Sequence, residues 1–329
     1  MNLKGMNILI TGGTGSFGTA FCEYIIKTNN IPNKLVIFSR DWLKQQNLKD
    51  RLRNPDFVAW RIGDIRDRDR LKRAFDDIDI VIHAAAIKEI VTCEKHIKET
   101  IMTNVDGTQN VLDACIDCGV KKALLISTDK ACKPINAYGI SKAAAEKIFI
   151  QGNAYAGGKD IKFSVCRYGN VIGSNGSVVK IFKQLIDEGA KELPVTDERM
   201  TRFFYPMDDA IRFVLNSLDI MQGGETFIPK IKSIGITDLC KAFDMPYKVI
   251  GIRPGEKLHE EMVPAEMFHL TLEQGLYYLI IPTVEYNLNA NYKDEKRYGI
   301  QLPVKDGFSY NSLDNEYMSI EEIRKHIGG

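Results

Sequence analysis

Short apolar runs alternate with longer amphipathic stretches through the first half of the chain. Asn7–Thr11, Lys34–Phe38, Phe57–Ile62, Asp79–Ala84 and Ala123–Ser127 are five or six residues each, rich in Val, Ile and Leu, and bounded by turn or charged residues. Runs of that length and composition predict buried strands. The segments between them are long enough for helices, Glu94–Cys118 most clearly. A further helix is expected from about Tyr138 to Tyr155, followed by a strand over Lys162–Arg167. Strand–helix alternation of this kind implies an α/β fold, a doubly wound parallel sheet covered on both faces.

After Tyr168 the pattern changes. Residues 169–177 are Gly-, Ser- and Asn-rich and read as a long loop, followed by short helices (Val178–Glu188, Met207–Met221), short strands and Pro-bearing loops. The division expected is a nucleotide-binding domain over 1–168, a smaller substrate-binding lobe mainly over 169–283, not necessarily contiguous, and a tail over 284–329. The tail is polar and aromatic (Tyr286, Tyr292, Tyr298, Tyr310), and is expected to pack on the fold or at an interface.

Composition narrows the class. The chain has 329 residues, 44% apolar and 26% charged, with a formal net charge of +1. That suits an ordinary globular protein and disfavours a nucleic-acid platform, which carries a basic excess. No run approaches the ~18 apolar residues of a membrane span. Seven scattered cysteines fit a reduced, cytoplasmic protein better than a disulfide framework. No metal is expected: Cys115-x-x-Cys118 has no second pair nearby, and His259-Glu260-Glu261 lacks the second histidine of a zinc helix.

The first strand runs straight into Thr11-Gly12-Gly13-Thr14-Gly15-Ser16-Phe17-Gly18, in which Gly13, Gly15 and Gly18 have G-x-G-x-x-G spacing. Between a strand and a helix this spacing predicts a dinucleotide site, with helix N–H groups free for the pyrophosphate. The second strand ends in Ser39-Arg40-Asp41, with Lys44 one turn on. An NAD site usually carries an acidic residue at this strand end. Arg40 and Lys44 instead suit a 2′-phosphate, which favours NADP. The alternative is that both cations are solvated and Asp41 takes the ribose. Asp64 and Ile65 after the third strand, and Ala84, Ala85 and Ala86 after the fourth, would complete the cleft, with Asp64 able to bond an adenine amino group.

Tyr138 and Lys142 form Tyr-x-x-x-Lys, a spacing that shares one helix face. The ammonium is expected to lower the phenol's pKa, so that it can take a proton from a sugar hydroxyl as hydride leaves.

Together these motifs, with Asn104-Val105-Asp106-Gly107-Thr108, resemble the extended short-chain dehydrogenase/reductases. Ser127-Thr128-Asp129-Lys130-Ala131 narrows the resemblance to sugar-nucleotide 4,6-dehydratases, in the branch acting on UDP-N-acetylglucosamine. Arg167–Val171, Gly176–Val178, Thr196–Phe203 and Arg253–Glu260 resemble the inverting members of that branch, which open pseudaminic acid biosynthesis; the likeness runs from about residue 5 to 283. It adds Asn104 to the cofactor site. It implies catalytic roles for Thr128, Asp129, Lys130, Tyr138 and Lys142: Tyr138 as base at the 4-hydroxyl, Lys130 as base at carbon 5, Asp129 as acid at the 6-hydroxyl. Lys130 would then need a lowered pKa, supplied by burial or Lys142; the alternative is a cation that binds the ketone. Substrate contacts fall on Lys88, Asn170, Val178, Arg199, Arg253 and Glu256. A homo-oligomer, a dimer or more, is implied. Cys132 and the loop Lys88–Cys93 depart from the family pattern, which leaves retention at carbon 5 as a competing reading; a sugar-nucleotide epimerase is another, and it would not need Asp129-Lys130.

Overall fold

The computed structural model describes residues 1–284, 286 and 290–328. Strands β1 (Asn7–Thr11), β2 (Lys34–Ser39), β3 (Val58–Ile62), β4 (Ile80–His83), β5 (Lys122–Thr128) and β6 (Lys162–Tyr168) lie side by side in the order 3-2-1-4-5-6. All are parallel. Alternate residues feed opposite faces: Ile8 and Ile10 join one core cluster, Leu9 the other. Both faces of β1, β2 and β4 are buried, which is why they read as unbroken apolar runs; β3, at the edge, buries only Val58 and exposes Arg61 and Ile62.

The sheet does not stop at residue 168. Thr226–Pro229 adds a parallel strand beside β6, and Tyr277–Ile280, Thr271–Glu273 and Leu302–Pro303 extend it antiparallel. Segment 169–283 is therefore shared between this sheet and a smaller lobe. The lobe's own core gathers Val179, Phe182, Leu193, Leu239 and Cys240.

The single helix expected over Glu94–Cys118 is broken. It comprises Ile90–Lys95, Ile97–Ile101, a π-helical turn at Met102–Asp106, and Gly107–Asp117. His96, at φ −129° and ψ 57°, interrupts the first two. Gly107 lets Ile65 pack directly on the helix, where a Cβ would lie 2.7 Å from the Ile65 side chain.

The tail is built into the fold. Helix Ile320–Ile327 starts with a Ser319/Glu322 capping box and buries Ile323 and Ile327 in the lobe core, satisfying its own first N–H groups. Tyr298 donates to the buried Glu225 carboxylate (2.6 Å) and Tyr310 to the Ile231 carbonyl (2.8 Å). Both rings are buried within the chain, so these two tail tyrosines do not line an interface. Of the tail segment, residues 285, 287–289 and 329 lie outside the described residues. Among the described residues, no helix is long and apolar enough to cross a membrane.

Candidate active site

A cleft of about 990 Å³ opens at the C-terminal ends of the parallel strands, where ligands bind in doubly wound sheets. At one end lies the glycine loop. Gly12 sits at φ +65°, and a Cβ there would fall 2.8 Å from the Ala85 Cα. Helix Ser16–Lys27 starts at Gly15 with no side-chain cap, leaving its first N–H groups to an anion. Gly12, Gly15, Ser16 and Phe17 line the cleft. Gly13 and Gly18 stand behind it. A Cβ on Gly18 would lie 2.3 Å from the Gly13 carbonyl oxygen, and one on Gly13 2.8 Å from the Ile37 side chain. Their role is to let helix meet strand. Thr11 is also behind the wall, its hydroxyl 2.7 Å from His83 Nδ1. Burial drives the His83 imidazole down to about 3.

At the β2 end, Ser39, Arg40 and Lys44 line the cleft with Ile65 and Ala84–Ala86. Gln45, which the sequence pattern did not single out, donates to the Ser39 hydroxyl (3.0 Å) and the Arg61 carbonyl (2.9 Å). Asp41 caps helix Trp42–Arg51, accepting from the Lys44 N–H at 3.0 Å; that bond holds its carboxyl below the usual range. Asp64, expected at the adenine, is engaged within the protein. Asp64 is not on the lining; it accepts from Arg66 (2.7 Å) and faces Arg40 (3.7 Å). Burial pushes its carboxyl up, but the Arg66 guanidinium outweighs this and holds it low. Asn104 is likewise no wall residue. It is buried, accepts from the Ile87 N–H (2.8 Å), and donates to the Ile87 carbonyl and the Ser141 hydroxyl (both 2.9 Å). It clamps the loop after β4 to the Tyr138 helix. Its neighbour Thr103, in the π turn, does line the cleft, and its buried hydroxyl has no hydrogen-bond partner among the described residues.

The other end holds the charged cluster. Thr128 and Asp129 follow β5, and Lys130 lies in the short turn Asp129–Ala131. Lys130 Nζ is 3.1 Å from Asp129 Oδ1, 3.1 Å from Glu260 Oε1 and 3.4 Å from Asn170 Oδ1. Burial works against its charge, but the two carboxylates prevail and raise its pKa above the ordinary value. The lowered lysine expected at this position is thus corrected, because Glu260 supplies a second counter-charge and Lys142 is occupied elsewhere. Asn136 caps helix Ala137–Tyr155, which carries Tyr138 and Lys142. Lys142 Nζ donates to the Ile126 carbonyl (2.9 Å), and burial lowers it to about 8. Burial also pushes the Tyr138 phenol up to about 12, against the charge of Lys130 and a hydrogen bond with Thr128. The expected depression of the phenol by Lys142 is not found: Lys130 is the cation acting on it.

Of the expected substrate contacts, Lys88, Asn170, Val178, Arg253 and Glu256 line the cleft. Lys88 Nζ donates to the Asn175 carbonyl, and the Asn175 N–H donates to the Ser16 hydroxyl (2.9 Å). Residue 175 thereby bridges the cleft. Arg253 and Glu256 pair with each other. Arg199, also expected to touch substrate, pairs with Asp197 at 2.7 Å, is exposed and is off the lining. Arg202 lines the cleft instead, donating to the carbonyls of Lys257 (2.9 Å) and Leu258 (3.0 Å). Strand alternation carried this signal: Arg202 lies between the buried Thr201 and Phe203, facing the other way. Cys115 is fully buried, and burial raises both thiols of the Cys115/Cys118 pair. No cluster of metal-ligating side chains occurs among the described residues.

Comparison with known proteins agrees with this architecture. The family described as polysaccharide biosynthesis protein matches residues 8–282. A UDP-N-acetylglucosamine 4,6-dehydratase (inverting) of Campylobacter jejuni is 48% identical, covering 98% of each chain. A UDP-glucose 4-epimerase of Rickettsia akari is 38% identical, over 97% of this chain and 94% of its own. The crystal structure of Pen from Bacillus thuringiensis superposes with a TM-score of 0.87 at 32% identity, covering 99% of this chain and 97% of its own. A dTDP-glucose 4,6-dehydratase of Streptomyces venezuelae, with NAD and TYD bound, shares the fold at a TM-score of 0.71 and 17% identity, over 98% of this chain and 96% of its own. With its strand order, glycine loop and Tyr138/Lys142 pair, the chain belongs to the polysaccharide biosynthesis protein family.

Proposed function

We propose that this protein is a UDP-N-acetylglucosamine 4,6-dehydratase that inverts carbon 5 and uses tightly held NADP. The observation that carries the reading is the Asp129–Lys130 ion pair at 3.1 Å, in the same cleft as Tyr138 and Lys142. Oxidation at carbon 4 needs only the Tyr/Lys pair. Loss of water across carbons 5 and 6 needs an acid and a base as well.

The residues present fit a dinucleotide. Gly12 and Gly15 form a cradle that side chains would fill, and the uncapped helix start at Gly15 suits a pyrophosphate. Arg40 and Lys44 at the mouth supply two cations for a 2′-phosphate; Asp41, the alternative ribose ligand, lines the same cleft and also caps the next helix. When bound, the nicotinamide supplies the hydride acceptor for carbon 4 and the donor for carbon 6.

The protein's own groups move the protons. Tyr138 gives up its own proton to solvent, against the burial that holds the phenol up, and the phenolate then accepts the proton of the 4-hydroxyl, with Thr128 beside the 4-oxygen. Transfer of one proton from Lys130 Nζ to Asp129 Oδ1 makes a neutral amine and a neutral acid together. The amine then takes the carbon-5 hydrogen, acidified by the 4-ketone, and Asp129 protonates the departing 6-hydroxyl. Water leaves, and the pair returns to ammonium and carboxylate. A proton from water in the cleft, delivered to carbon 5 on the opposite face as carbon 6 is reduced, gives the L-arabino product. Lys88, Asn170 and Val178 would hold the sugar, and Arg253, released from Glu256, would clamp the diphosphate.

The 38% identity to a UDP-glucose 4-epimerase supports a second reading, in which Asp129 and Lys130 do no chemistry. Proton NMR of the protein with UDP-N-acetylglucosamine in deuterated water separates the two. A 6-deoxy methyl signal, deuterium at carbon 5 and L-arabino couplings are expected. A C4 epimer with carbon 6 intact would select the epimerase, and D-xylo couplings the retaining dehydratase. We further propose a cytoplasmic homo-oligomer on the route to pseudaminic acid. Seven free thiols and the exposed Ile97, Ile101 and Ile140 support the compartment and the assembly respectively.

A further inference from the structure

Glu260 is a carboxylate buried to 2% exposure beside the reacting groups. Burying such a charge is costly unless it is paired. Its Oε1 is 3.1 Å from Lys130 Nζ and 4.0 Å from Arg202 Nε; its Oε2 is 3.9 Å from Lys257 Nζ and accepts no hydrogen bond among the described residues. The backbone that carries it is fixed by the C-terminal segment. The Glu260 N–H donates to the Ser312 hydroxyl (2.9 Å), and the Ser312 N–H donates to the Glu260 carbonyl (2.8 Å). Ser312 is fully buried, with its hydroxyl 2.7 Å from that of Thr201. Residues 310–311 pair antiparallel with 261–263. The family match ends at residue 282, so the clamp on Glu260 comes from outside the matched segment.

We infer that Glu260, held by Ser312, is a positioning residue that keeps Lys130 charged and seated at the catalytic end until a substrate is bound. The inference rests on Lys130 being the carbon-5 base. The charged and titratable groups around Lys130 are Asp129, Glu260, Arg202 and Tyr138, with Lys88 and Lys257 further out. Asp129 can accept the lysine proton. Glu260 then keeps one N–H of the neutral amine and Asn170 a second, which leaves the lone pair for carbon 5. Without Glu260 the amine has one anchor fewer, and its ammonium form has one counter-charge fewer.

The test follows the Lys130 signal in the full chain by carbon-13 NMR of ε-labelled lysine, assigned by its loss in Lys130→Met. In Glu260→Gln its titration midpoint is expected at least ~1 unit below wild type. Ser312→Ala, which leaves the charge and the Ser312 N–H bond in place but removes the hydroxyl that accepts from the Glu260 N–H, should shift it the same way by less. The pH limb of deuterium uptake at carbon 5 should move with it, and Glu260→Asp should restore part of the shift. An unmoved Lys130 midpoint in a folded Glu260→Gln protein overturns the inference; should that variant not fold, an unmoved midpoint in Ser312→Ala does so. The lysine titration needs no turnover. Absence of carbon-5 exchange in wild type would therefore count against the dehydratase reading alone.

Discussion

The two ends of the cleft are built in opposite ways. The phosphate end is one stretch of eight residues, Thr11–Gly18, between β1 and its helix. Its glycines are fixed by contacts no side chain would tolerate. The charged end, where we place the chemistry, takes Asp129 and Lys130 from the end of β5, Tyr138 and Lys142 from the next helix, Arg202 from the small lobe and Glu260 from a segment clamped by residue 312. The first is a problem of steric fit. The second is a balance of charges, in which each group's protonation depends on segments far away in the chain. A backbone cradle tolerates almost no change in volume, whereas the charged cluster is sensitive to the loss of any single charge.

The sharpest way to break this contrast is to remove the central charge. Lys130→Ala should lower kcat by ~10²–10⁴-fold, with KM little changed and deuterium uptake at carbon 5 lost. Full uptake in the variant would remove the base from Lys130 and leave Asp129–Lys130 as a binding pair.

The second largest effect belongs to the phosphate end and is one of stability. His83 lies behind the glycine loop with its pKa depressed from 6.5 to about 3. The unfolded chain binds more protons than the folded one between these values, so stability should fall as pH drops through that window, by about 1.4 kcal/mol per pH unit. Urea midpoints measured from pH 7 to 4 should show this slope, and His83→Asn should flatten it. An equal slope in the variant would assign the acid sensitivity to carboxylates.

Arg40→Ala tests the mouth of the same end. It should weaken NADP binding by about 1.5–3 kcal/mol, the worth of a charged hydrogen bond, and leave NAD binding unchanged. Equal losses for both cofactors would mean that Arg40 meets no 2′-phosphate.

The smallest effect expected is at Arg199. Its partner is the neighbouring Asp197 on the surface, so Arg199→Ala should stay within about 0.5 kcal/mol in stability and leave KM unchanged. Arg202→Ala should raise KM or lower kcat. The reverse ranking would return Arg199 to the cleft.

How much of this was legible in the sequence follows the same division. The strands β1, β2 and β4 were legible because a strand buried on both faces must be apolar throughout. The glycine spacing marked the phosphate end because its reasons are local. The 90–118 stretch read as a single helix because amphipathic spacing continues across His96 and the π turn; along it Asn104 bonds the Ile87 backbone and Ile65 packs on Gly107, contacts that the spacing does not carry. Asp64 looked free because its partners Arg66 and Arg40 have other possible roles. Arg199 was chosen over Arg202 because both stand in one motif, and only the strand Thr201–Tyr205 decides which one faces the cleft. Glu260 stood in the motif Arg253–Glu260, but nothing local distinguishes it from Glu261, which pairs with Lys133 at the surface.

By itself the amino-acid sequence determined the doubly wound sheet, the dinucleotide loop, the Thr128-Asp129-Lys130 and Tyr138/Lys142 sets, and the family. Each is written in spacings of a few residues, over which backbone geometry alone relates position to direction. Only the tertiary structure decided the protonation of Lys130, the choice of Arg202, the burial of the tail tyrosines and the clamp of Ser312 on Glu260. Those depend on distances of 2.7–3.1 Å between residues up to 130 positions apart. Coulomb energy and desolvation act through space, and neither follows separation along the chain.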